Sequence, residues 1–155
     1  MTATLNDLQY WEDAAHWALT TIHQLETTTE PPNLAQLIEA RRVLFPAAPE
    51  HEWWADLYAA VQQRCNPNIT DADLLELLNL KQSWYGPQNI MAFGAAGIIV
   101  RLSDKMARLE NLESMGLNPD EETVADTLID MLGYGVLGVM VQYGLMELPL
   151  AATIR

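Results

Sequence analysis

Two stretches in the C-terminal half carry charged residues at helical spacing. Arg101, Asp104, Lys105 and Arg108 recur at intervals of three, one and three, which places all four on one face of a helix. Glu122, Asp126 and Asp130 recur every four residues and share a face of the next helix, with Tyr134 one turn further on. Carboxylates one turn apart in a helical bundle suit Mg²⁺, a hard cation that takes oxygen ligands and often bridges to phosphates. Basic residues nearby would grip those phosphates. Asp130 is the most informative of the set. It sits in Leu128-Ile129-Asp130-Met131-Leu132, where an inward carboxylate is costly unless a base or a metal partners it. The plainer reading of the pattern is a row of interhelical salt bridges, each surface pair contributing about 0 to 1 kcal/mol. Spacing alone leaves both open.

These faces need helices to hold them, and the chain reads as helical throughout. Asn6 to Leu25 has apolar residues at Leu8, Trp11, Ala15, Leu19, Ile22 and Leu25, a spacing of three and four. After a break from Thr27 to Pro32, Asn33 caps a second helix that ends before Pro46, and a third follows Pro49. Asn66-Pro67-Asn68 marks a turn, and Thr70 or Asp71 caps a fourth helix through Leu80. The Gly86-Pro87 pair makes Ser83 to Asn89 an expected irregular loop. A fifth helix spans about Ala95 to Glu113. The sixth is expected to start with Asn118 as cap, Pro119 in the first position and Asp120, Glu121 and Glu122 in the first turn, and to run to about Gly144. The remainder from Glu147 reads as a tail. No β-alternation or internal repeat competes, so the expected fold is all-α, a compact bundle of about six helices forming one domain over 1–155.

Composition narrows the partners. With 21 acidic against 8 basic residues the net charge is -13, which disfavours duplex DNA, although a locally basic pocket still suits a small phosphorylated ligand. Cys65 is the only cysteine, so there is no intrachain disulfide or Cys-based zinc site, and a cytoplasmic setting is expected. The first residues do not read as a signal peptide, and the apolar run Met131 to Val141 is well short of the ~20 residues of a membrane span. Gly133-Tyr134-Gly135-Val136-Leu137-Gly138 fits a GxGxxG string but lies within a helix, where small residues allow close packing and not dinucleotide binding. His16, His23 and His51 have no ligand spacing, and Trp53 and Trp54 read as core.

The run Lys81 to Asn89 (KQSWYGPQN), then Ile90, Phe93-Gly94, Gly97, Arg101 with Asp104-Lys105, Arg108-Leu109 and Asn111-Leu112, and later Asp126-Thr127-Leu128, Asp130 and Gly133-Tyr134, resembles the phage-associated nucleotide modification associated domain, type one. The resemblance covers roughly residues 74 to 141 and marks 67–146 as a family-like core, with 1–66 as an N-terminal helical extension. It implies a phage or prophage protein of nucleotide metabolism or DNA-base modification, in the host cytoplasm. The chain is more distantly similar to all-α nucleoside triphosphate pyrophosphohydrolases, which hold Mg²⁺ with two pairs of carboxylates. It departs from them in offering Arg, Asp, Lys and Arg in place of Glu-x-x-Glu, and Asp-x-x-x-Asp in place of Glu-x-x-Asp.

The resulting expectation is a (deoxy)nucleotide ligand between the fifth and sixth helices. Lys81, Arg101, Lys105 and Arg108 would contact its phosphates, Trp84, Tyr85 or Tyr134 its rings, and Asn89 a base edge. Asp126 and Asp130, helped by Asp104 or Glu122, would hold Mg²⁺, and if the protein is an enzyme one carboxylate would position water against a phosphoanhydride. The alternatives are a non-catalytic nucleotide binder and a helical accessory or interaction protein. Apolar side chains in the first 66 residues are compatible with a homodimer.

Overall fold

The computed structural model describes residues 4–25, 32–65 and 69–151. The turn expected at Asn66 to Asn68 and most of the break at 27–32 lie outside the described residues. The described chain is all-α, with helices α1 (Trp11–Leu25), α2 (Leu34–Val43), α3 (His51–Arg64), α4 (Asp71–Tyr85), α5 (Gln88–Met91), α6 (Gly94–Ser114) and α7 (Glu122–Gln142).

The helix starts follow local chemistry. Asn33 accepts from the Gln36 N–H at 3.0 Å, and Thr70, not Asp71, caps α4 by accepting from the Asp73 N–H at 3.1 Å. Three boundaries differ from the sequence expectation. Thr4 and Asp7 close a separate 3-10 turn over Leu5–Asp7, so α1 begins only at Trp11. The supposed loop at Ser83 to Asn89 is mostly helical, because nothing before Gly86 opposes α4. The chain turns only at Gly86, whose φ of +67° suits glycine and whose N–H closes on the Gln82 carbonyl, and α5 starts straight after Pro87. Finally, the Asn118 carbonyl accepts from the Glu121 N–H in an isolated turn, so α7 starts at Glu122, three residues later than its Pro119 suggests.

At the centre of the bundle, α7 packs against α1, α3, α4 and α6. It is the one described helix long and apolar enough to cross a membrane by length and composition, which the count of consecutive apolar residues had not suggested. Its most apolar window is 61% buried among the other helices. Its glycines serve this packing. A methyl on Gly133 would press Leu78 of α4, Gly135 faces Tyr58 of α3, and Gly138 lies directly against the Trp54 ring. Helices α1 and α3 belong to the same core, since Trp11, Ala15, Leu19, Trp54 and Leu57 are buried in one cluster with Leu102, Leu128 and Val136. After α7, Leu145 and Met146 are buried and the chain returns to α1. There the Pro149 carbonyl accepts from the Trp11 N–H at 2.8 Å and the Glu12 carboxylate accepts from the Ala151 N–H. The tail thus satisfies an N–H that the first turn of a helix leaves open.

Candidate functional site

The chain has two lysines, and both converge on one carboxylate. Lys81 from α4 places its Nζ 2.9 Å from Oδ1 of Asp130 on α7, and Lys105 from α6 places its Nζ 2.9 Å from Oδ2. Three helices are tied together at this point. Burial pushes the Asp130 carboxyl up, but the two lysine hydrogen bonds and charges outweigh it and hold the group below its ordinary range. The embedded Asp therefore has bases as its partners.

Beside this cluster lies a cavity of about 380 Å³, within the size range of small-ligand sites. One part of its wall is apolar, from Leu74, Leu77 and Leu78 of α4 and Ile129 and Leu137 of α7. The polar part comprises Lys81, Gln82, Tyr85, Asn89, Arg101, Asp130 and Tyr134. Arg101 is fixed there by donating from Nη2 to the Asn89 carbonyl at 2.8 Å, which ties α6 to α5. Trp11, fully buried, also lines the cavity, and its indole N–H has no hydrogen-bond partner among the described residues.

The sequence-predicted residues therefore separate into two groups. Lys81, Tyr85, Asn89, Arg101, Asp130 and Tyr134 line one cavity, with Lys105 behind Asp130. Trp84 is 65% exposed and does not line it, while Arg108, Glu122 and Asp126 are exposed and stand outside it. Asp104 is also exposed, and borders a smaller hollow with Arg42 and Phe45. The carboxylates suggested for Mg²⁺ do not form a cage. Both Asp130 oxygens are taken by ammonium groups, and among the described residues no three His, Cys, Asp or Glu side chains cluster closely enough to hold a metal.

Sequence reasoning missed Trp11, Gln82 and the leucine wall of α4. The α4 leucines read as core residues, as did Trp11, and no periodicity distinguishes a core leucine from one that borders a cavity. Gln82 did carry a signal, being a polar residue on the α4 face that holds Leu74 and Leu78. Comparison with known proteins adds no relative, since no family model, no curated protein and no solved structure matches the chain.

Proposed function

We propose that the cavity between α4, α6 and α7 binds a (deoxy)nucleotide. The observation that carries this reading is the concentration of cations in a chain of net charge -13, where Lys81 and Lys105 both pair with Asp130 and Arg101 lines the same cavity as Lys81 and Asp130. With Asp130 ionised the cluster keeps two positive charges over, enough to attract a phosphate by charge-assisted hydrogen bonds. The apolar wall suits a planar base. Gln82 and Asn89 offer donors to its edge, and Tyr85 and Tyr134 are the rings placed to pack against it.

Binding without turnover is the better-supported form of this reading, because the carboxylate best placed to act on a ligand is already held by two lysines. Hydrolysis with Mg²⁺ remains a separate outcome of the same experiment. Thermal unfolding is followed with a panel of deoxy- and ribonucleotides at millimolar concentration, each with and without Mg²⁺, and every hit is analysed for released phosphate or pyrophosphate. A nucleotide-specific rise in Tm without Mg²⁺ and without product is expected. It should be lost in Lys81→Met and kept in Arg42→Met, which removes an equal charge from α2. Mg²⁺-dependent product release would make the protein a hydrolase. No shift with any nucleotide would leave the cluster as a salt bridge between three helices.

A further inference from the structure

Resting on the nucleotide reading, we infer that the site selects a nucleoside monophosphate over the corresponding triphosphate. Charge, space and neighbours point the same way. A phosphate monoester carries about -1.5 to -2 at pH 7, which matches the two positive charges that Lys81, Lys105 and Arg101 leave after Asp130 is neutralised. Further phosphates add charge for which the cavity has no counterpart. At about 380 Å³ the cavity is near the small end of ligand pockets, room for a base and sugar with one phosphate at the cationic edge.

The surroundings oppose a longer anion. On α7, Asp126 and Glu122 lie one and two turns before Asp130 on the same stripe, about 6 and 12 Å along the helix, and both are exposed. A phosphate chain continuing past Asp130 in that direction meets two carboxylates against one exposed cation, Arg108, a turn beyond Lys105 on α6, and the like charges outnumber the opposite one. Specificity would come as much from this repulsion as from the lysine contacts.

The test is calorimetric titration of the full chain with the mono-, di- and triphosphates of whichever nucleoside gives the largest stabilisation, in metal-free buffer and again with Mg²⁺. The expected result is that the monophosphate binds roughly tenfold tighter than the triphosphate, about 1.4 kcal/mol. The double variant E122Q/D126N should narrow that ratio by admitting the triphosphate better, with monophosphate affinity moving less. These two side chains are exposed, and circular dichroism verifies that the variant is folded. Triphosphate binding as tight as or tighter than the monophosphate, in either buffer, overturns the inference while leaving nucleotide binding standing. Absence of binding by all three overturns the nucleotide reading itself.

Discussion

Replacing Asp130 by asparagine separates its structural role from its effect on a ligand, because the two move in opposite directions. The substitution keeps the shape and removes the charge, so Lys81 and Lys105 are left facing a neutral amide in place of a shared carboxylate. Breaking a fully buried ion pair costs about 3 to 5 kcal/mol. Here the carboxylate is 25% exposed and the lysines 39% and 28%, so solvent recovers part of the loss. About 2 kcal/mol is then expected, or a Tm lower by roughly 4 to 8 °C for a domain of this size. For a bound phosphate the same charge is a repulsion. With a lysine between them, carboxylate and phosphate oxygens stand about 6 Å apart, and at an effective dielectric of about 20 their repulsion is about 3 kcal/mol. Freeing the lysines returns up to about 2 kcal/mol of side-chain order that the phosphate must then impose. The net is about 1 kcal/mol in favour of binding, roughly fivefold tighter. Urea denaturation measures the first effect and calorimetry with a nucleoside monophosphate the second. A variant that is less stable yet binds tighter supports the argument. One that binds more weakly refutes it, because Asp130 would then be touching the ligand or a metal directly.

Three further predictions concern the scaffold. A methyl on Gly138 would overlap the ring of fully buried Trp54, whereas on Gly135 it meets Tyr58 at an ordinary 3.6 Å. Gly138→Ala should therefore cost about 1 to 3 kcal/mol in urea denaturation despite better helix propensity, while Gly135→Ala should be neutral or stabilising, and equal effects would contradict this packing. Asp130, with its carboxyl held below the ordinary 3.8, contributes stability that is present above that value and lost as pH falls through its folded pKa. The stability gap between wild type and Asp130→Asn should stay level from about pH 7 to pH 5 and close below about pH 4, and a gap that closes near neutrality would deny the carboxylate its role. The Cys65 thiol, whose Sγ lies 3.5 Å from the Val61 carbonyl, is pushed up to about 11 by burial. Native protein at about pH 8 should react slowly with a thiol reagent and fully only in urea, and immediate stoichiometric labelling would show the thiol to be accessible.

How much of this was legible in the sequence varied with the range of the interaction involved. Asn33 was readable as a cap, and the cap of α4 to within Thr70 or Asp71, because a cap is settled within three residues. The glycines of α7 were readable as packing residues, though not what they pack against. The stretch from Ser83 to Asn89 was misread because Gly-Pro signals where a helix must stop, and the residues before it were given the same meaning. The start of α7 was misread because Asn118 and Pro119 suit a helix start and an isolated turn equally well.

The sequence by itself determined the all-α class, the gathering of acidic residues on one helix face and mostly basic ones on another, and the anomaly of a carboxylate among apolar residues at Asp130. Each follows from periodicity or from the cost of burying charge, which need only neighbours along the chain. Only the tertiary structure decided which charge answers Asp130. Lys105 was expected on the facing helix, but Lys81 comes from α4, 49 residues away, and its reach depends on how closely α4 approaches α7 over Gly133. The same packing decided that Trp11, from the start of α1, lines the cavity. Contacts between helices distant in sequence are set by interlocking side-chain shapes, and no spacing within one helix encodes them.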